Sequence, residues 1–324
     1  MFREWNPPNR FNPREIDWDE PPPKARLEIT EDDTRSIVVH NPTRMYGFAW
    51  SVNPYRGCTH ACAYCYAREH HEFLDLGGGT DFERKIAVKH RAPELLRKRL
   101  MGRSWRGELI FFSGVTDCYQ PVERRYRLTR QCLEVCADFR NPVGLLTRSP
   151  LLLRDLDVLL RLHEHRAVVV SVSLPIVDPE FCRAIEPGAP SPAARLRMVE
   201  ALAEAGIPVG ISLMPMIPGI NDATIPHTLK AAREAGASWA WTGLLKLPGP
   251  VEAVFTTRLR EALPDRAETV LRKYRRALTG DQAWKSTLQL FRLWHRKLGF
   301  GEMPTPPDPT PFRRPGHTEQ LQLW

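Results

Sequence analysis

The chain has 324 residues, 46 Lys and Arg against 38 Asp and Glu, a formal net charge of +8 and a pI near 9.3. That length buries a large core as one catalytic domain with room for appendages. No apolar run is long enough for a bilayer and no charged-then-apolar leader opens the chain, so neither a membrane span nor an export signal is expected. The basic balance fits a polyanionic partner such as nucleic acid without requiring one.

Residues 1–47, rich in Pro, Asn, Arg and Glu, read as an extended arm with little core of its own, laid over the main body. From about residue 48 a strand-then-helix pattern repeats. The first predicted strand, 48–52, leads into Gly57-Cys-Thr-His-Ala-Cys-Ala-Tyr-Cys-Tyr66. Here Cys58, Cys62 and Cys65 have the spacing C-x3-C-x2-C. Three soft thiolates on one short loop suit three corners of a cubane iron–sulfur cluster, leaving the fourth iron open to a small molecule. A structural zinc site would want four closed ligands, with His60, His70 or His71 as the fourth. Disulfides would want an oxidising compartment, and seven cysteines is an odd count. The cluster is the expected occupant. Further on, Gly77-Gly78-Gly79 lacks a following Lys-Ser/Thr and reads as a mobile loop over the site rather than a phosphate loop.

Five more strands are predicted at 108–113, 143–147, 167–174, 208–213 and 239–245. Helices are predicted at 123–138, 151–164, 192–205 and 221–235. Residues 167–174, Ala-Val-Val-Val-Ser-Val-Ser-Leu, carry a β-branched run continuous enough for a strand buried on both faces. Such alternation means parallel βα units with the site at the C-terminal strand ends, and six units are too few to close an eight-stranded barrel. Beyond residue 248 only helices follow, at 258–278 and 282–298, and then a Pro-rich tail. The expected organisation is an N-terminal arm (1–47), an α/β core (48–248), a basic helical extension (249–302) and a tail (303–324). Cys132, Cys136 and Cys182 read as core packing. Arg97-Lys98-Arg99, Arg124-Arg125-Arg127-Arg130 and Arg272-Lys273-Arg275-Arg276 are candidate phosphate-tracking clusters that equally fit solvated helix faces.

The cysteine spacing, with Tyr64 just before the third cysteine, resembles the radical S-adenosylmethionine (radical SAM) superfamily. The resemblance implies a partial (βα)6 barrel, a [4Fe-4S] cluster on Cys58, Cys62 and Cys65, and S-adenosylmethionine as co-substrate. It also places the co-substrate at the strand ends. Thr116 and Asp117 after the second strand would grip its amino acid end, and Arg148 would pair with its carboxylate. Ser171 and Ser173 would face the ribose, and Gly210 would lie against the adenine.

More narrowly, Asn53-Pro-Tyr-Arg-Gly-Cys58, Tyr64-Cys-Tyr66, Thr116-Asp117 and Glu186-Pro-Gly-Ala-Pro-Ser191 resemble the spore photoproduct lyase-like group, often labelled DNA repair photolyase. That likeness implies Tyr64 and Tyr66 as a hydrogen-atom relay. The lyase's donor cysteine falls on Gly114, a departure for which Cys118, four residues on, is the candidate substitute. The implied function is reductive cleavage of S-adenosylmethionine followed by hydrogen abstraction, with DNA as the candidate substrate and a flavodoxin or ferredoxin as electron donor. Such chemistry is expected in a reducing cytoplasm. The alternatives are radical modification of a peptide or small metabolite, and a non-catalytic iron–sulfur protein that binds nucleic acid.

Overall fold

The structure, a computed structural model, describes residues 3–12, 21–42 and 48–315. Its main sheet follows from the β-branched runs. Val168–Ser173 is buried along its whole length, and so it sits in the middle of a sheet covered on both faces. Ten strands are numbered here in chain order: β1 Glu28–Glu31, β2 Val38–His40, β3 Trp50–Val52, β4 Tyr55–Arg56, β5 Lys85–Val88, β6 Ile110–Phe112, β7 Val143–Thr147, β8 Val168–Ser173, β9 Val209–Met216 and β10 Ala240–Leu244. The large sheet runs β10-β9-β8-β7-β6-β3-β2. The six strands from β3 to β10 in that row are parallel, and β2 joins one edge antiparallel to β3. All six predicted core strands overlap these six, and the sheet stays an open partial barrel with β10 and β2 as its edges.

Pairing register decides what fills the barrel. Alternate residues of a strand face the same side, and the pairing lines up three rows. Ser51, Phe111, Gly144 and Val169 form the first, Leu146, Ser171 and Gly210 the second, and Ser173, Ser212 and Trp241 the third. Two aromatic rings lie over the two glycines. A Cβ at Gly144 would overlap the Phe111 ring, and one at Gly210 would overlap the Trp239 indole. Phe48 stacks on Phe111 with centroids 4.2 Å apart, and Trp239 donates its indole N–H to Ser171 Oγ at 3.3 Å. The barrel floor is therefore closed by rings, and the third row borders open space above it. Gly210→Ala is expected to cost about 1–3 kcal/mol, as overpacking of a filled core does; the shift in urea midpoint measures it.

A second sheet, β1-β5-β4, was not expected from the sequence, because strands this short carry little periodic signal. The two sheets together place part of the N-terminal arm: β1 pairs with β5 in the small one and β2 with β3 in the large one, while residues 13–20 and 43–47 lie outside the described residues. Two predicted helices are broken. Residues 123–138 split at Arg127, which takes a left-handed conformation. There the Glu123 carboxylate accepts from the Thr129 and Arg130 amides, capping the new helix Leu128–Asp138. Residues 258–278 split into Pro250–Ala262 and Pro264–Leu278, since Pro264 supplies no N–H and is favoured in a first helical turn. The Gly77–Gly79 loop is held in place rather than left free over the site. Arg68 Nη1 donates to the Gly78 and Gly79 carbonyls at 2.9 and 3.0 Å, and Asn6 Oδ1 accepts from the Gly79 and Asp81 amides. Part of the tail returns to the body, where Arg314 donates to the Gly102 and Trp105 carbonyls.

Candidate active site

The cysteine loop leaves β4 and turns tightly, with the Ala61 and Cys65 amides donating to the Cys58 and Cys62 carbonyls at 3.3 and 3.2 Å. Neighbouring segments fix it. Cys58 N–H donates to Phe82 O at 2.8 Å, and Ala63 N–H to Ile185 O at 2.9 Å. The buried Gln120 amide spans the gap to the loop after β6, donating to Gly57 O at 2.8 Å and accepting from Thr59 N–H at 3.1 Å. Thr116 Oγ1 donates to the same Gly57 carbonyl at 3.0 Å. Cys58, Cys62 and Cys65 are unpaired and open onto one cavity of about 110 Å³ that Thr116, Asp117, Arg148 and Ser173 also line. Among the described residues no three His, Cys, Asp or Glu side chains close on a single ion.

Charge in this cavity is balanced by a buried network. Arg148 Nη1 lies 2.9 Å from Cys62 Sγ and donates to Tyr64 Oη at 3.1 Å and Glu186 Oε1 at 2.7 Å. Glu186 also takes the Tyr64 hydroxyl and the buried Arg195 guanidinium. Burial would raise the Glu186 carboxyl, but the charges of Arg195 and Arg148 outweigh it and hold its pKa at about 2. A carboxyl lowered on folding adds stability that is complete above its ordinary value near 4.5 and is lost as pH falls through about 2. Glu186→Gln is therefore expected to lower stability at neutral pH and to flatten the loss between those two values, as read from denaturant midpoints across pH. Asp117 accepts from Thr147 Oγ1 at 2.6 Å and from the Arg148 amide at 3.0 Å, with His60 Nε2 at 3.4 Å. Burial opposes its ionisation, yet these donors, His60 first, keep its carboxyl well below the usual range.

The donor set fits a cluster. Burial pushes the Cys58 thiol up to about 12 and raises Cys62 and Cys65, so bare thiolates are disfavoured there and a bound cationic metal would supply the missing charge. The Arg148 cation on Cys62 Sγ acts in the same direction.

A larger cavity of about 560 Å³ adjoins this one, sharing Cys65, Tyr66, Ser113, Arg148 and Ser173, with Tyr64 also in its wall. Tyr66 donates its hydroxyl to Gly114 O. Of the sequence candidates, the structure gathers the three cysteines, Tyr64, Tyr66, Thr116, Asp117, Arg148 and Ser173 around these two spaces. Ser171, Gly210 and Cys118 are not among them. Ser171 and Gly210 lie beneath the Trp239 indole, although Leu146 of the same row lines both cavities, and Ser212 and Met214 line the larger cavity in place of Gly210. Cys118 is fully buried in the main core, behind the loop that carries Thr116 and Asp117, and borders neither cavity. Sequence reasoning missed Gln120 and Arg195 as site residues, and reached His60 only as a zinc ligand and Glu186 only within a family motif. The step of two from Gly210 would have found Ser212, but no spacing rule links Glu186 to Arg148.

A family model described as the radical SAM superfamily matches residues 52–232. An uncharacterised protein of Mycobacterium tuberculosis is 36% identical over 231 residues, covering 71% of this chain and 68% of that one. A radical SAM Nalpha-GlyT isomerase of Pseudomonas phage M6 is 26% identical over 266 residues, 76% of this chain and about half (52%) of that one. Among solved structures, a single-site mutant of spore photoproduct lyase superposes with a TM-score of 0.60 at 15% identity, over 85% of this chain and 80% of that chain. A double mutant of the lyase with bound AdoMet and dinucleoside spore photoproduct gives 0.55 at 15% identity, covering 72% of this chain and 66% of that chain. No helix among the described residues is long and apolar enough to cross a membrane. With that match and that cysteine loop, the chain belongs to the radical SAM superfamily of enzymes.

Proposed function

We propose that this enzyme binds a [4Fe-4S] cluster on Cys58, Cys62 and Cys65, cleaves S-adenosylmethionine reductively, and acts on nucleic acid. One observation carries the cofactor reading: three unpaired thiols, Arg148 and the Thr116–Asp117 turn open onto one small cavity, which joins a second large enough for a co-substrate. The cluster with its co-substrate supplies an electron and an adenosyl radical able to remove a hydrogen atom from a substrate. The chain's own residues hold and screen. Arg148 presents a cation anchored on Glu186, suited to a carboxylate. Thr116, Asp117 and Ser173 offer polar groups, while Phe48, Phe111 and Trp241 wall the space against water. Tyr64 and Tyr66 stand in that wall as the candidate hydrogen relay.

Nucleic acid is supported by the +8 charge and by the fold shared with a lyase that binds a dinucleoside photoproduct. Two of the basic clusters give it less support than their sequence suggests. Arg97 is paired with Asp138 at 2.5 Å, and Arg130 with Asp155 and Asp157 at 3.1 and 2.7 Å. A reducing cytoplasm and a flavodoxin or ferredoxin donor complete the proposal. The test is anaerobic: reconstituted, dithionite-reduced protein is given S-adenosylmethionine, and 5′-deoxyadenosine is measured without DNA, with intact DNA and with irradiated DNA. Formation that rises with DNA supports the reading. Formation that no DNA or RNA changes, together with no binding at moderate salt, shifts the substrate to a peptide or metabolite. A loaded cluster that yields no deoxyadenosine under any condition overturns the enzymatic proposal.

A further inference from the structure

A third cavity, of about 440 Å³, opens on the outer side of the cysteine loop between β2, β3 and the end of β5. It shares Tyr66, Ala67, Gly114 and Val115 with the wall of the cysteine cavity, and Phe48 and Tyr66 with the larger one. Its charged lining is basic. Arg56, Lys89, His70, His71, Asn41 and Asn53 all face it, and no Asp or Glu does among the described residues.

Lys89 is the informative member. It follows β5 directly, and its amide donates to Pro54 O at 3.0 Å, so the sheet holds its backbone. The residue is 7% exposed, and among the described residues its ammonium makes no hydrogen bond or ion pair. Asp32, the carboxylate that attracts it from outside the wall, is already bonded to Arg56 at 2.8 Å. Nearby, Asn41 Nδ2 and His71 Nε2 are buried without partners among the described residues. Buried neutral donors left unpaired, such as these two, cost about 1–3 kcal/mol each. Burial, and then the neighbouring Arg56, bring the Lys89 pKa down to about 8. Each of these features is relieved by one kind of ligand. Ile37, Val39, Phe48 and Phe73 give the wall an apolar side.

We infer that this cavity binds an oxyanion carried by the substrate, a phosphate or a carboxylate, on Lys89 and Asn41, with an adjoining flat apolar portion against Phe48 and Phe73. As the site of a substrate group it rests on the radical SAM reading above, because what makes the position relevant is the wall shared with the cysteine cavity; as an anion site it stands without it.

Phenyl phosphate and benzoate are the probes, titrated calorimetrically into cluster-loaded protein at low salt. Wild type is expected to bind at least one of them. Lys89→Met is expected to weaken that binding tenfold or more, as loss of one charge-assisted hydrogen bond does, and Lys89→Arg to keep it within a few-fold. Asn41→Asp, which places a carboxylate in the cavity, is expected to abolish it, and serves should Lys89→Met fail to fold. Preference for phenyl phosphate or for benzoate names the source of the anion. No binding by wild type up to about 10 mM, or equal binding by Lys89→Met, overturns the inference. Deoxyadenosine formation by wild type is measured on the same preparation. Turnover without probe binding sinks the anion site alone, and probe binding without turnover sinks the radical reading alone.

Discussion

A Cys58→Ala/Cys62→Ala/Cys65→Ala variant is expected to purify without iron or sulfide after reconstitution and to form no detectable 5′-deoxyadenosine. The three thiols are the only cysteines around the 110 Å³ cavity, and they are unpaired. The other four, Cys118, Cys132, Cys136 and Cys182, are buried elsewhere and do not line it. Soft thiolates are what a cluster of this kind requires, and no nearby residue offers a replacement set. Cys132→Ala is the matched control. It removes a buried thiol from the main core at a packing cost and is expected to keep its iron. Iron in the triple variant, or loss of iron in the control, would remove the cluster assignment.

The second large effect is structural. Glu83→Gln is expected to destabilise the protein by about 3–5 kcal/mol, as breaking a buried ion pair does. Glu83 is fully buried and accepts from two buried guanidiniums: Arg68 Nη2 at 2.6 Å, and Arg258 Nη2 at 2.7 and 2.8 Å to its two oxygens. Both arginines reach on to the cysteine loop. Arg68 donates to Cys62 O at 2.8 and 3.1 Å, and Arg258 to Ala61 O at 3.2 Å. One carboxylate therefore ties the loop to the helix Pro250–Ala262, and neutralising it leaves two buried cations without a charge partner. The expected readouts are a melting temperature lower by on the order of 10 °C and less iron retained per chain. The exposed pair Arg91–Glu94, bonded at 2.8 Å across the start of the helix Ala92–Met101, is the contrast. Its loss is expected to leave the melting temperature essentially unchanged, because solvent screens an exposed pair. A Glu83→Gln shift as small as that would show the triad to be incidental.

Buried triads of this kind leave no trace in spacing, and the same holds across the site. Glu186 and Arg195 flank a loop and a helix start, and their importance follows from meeting Arg148, which is 38 residues from Glu186. Gln120 could have been any helix-leading polar residue until the fold set it against Gly57 O and Thr59 N–H. Ser171 and Gly210 lie away from the two cavities for one reason. Strand alternation put Ser171 on the inner face and the family resemblance pointed to Gly210, but the Trp239 indole, contributed by a neighbouring strand end, covers both.

What could be read along the chain was what neighbours in sequence decide for themselves. Short apolar runs alternating with helical segments give six parallel strands, a three-cysteine loop follows the first of them, and Pro and Gly punctuate the helices. These depend on contacts within a few residues, where composition and period carry the information. The small β1-β5-β4 sheet, the ring-filled barrel floor and the buried carboxylate–guanidinium pairs were decided only when distant segments packed. Their energies lie in register and desolvation, and both are properties of pairs of segments that no single stretch contains.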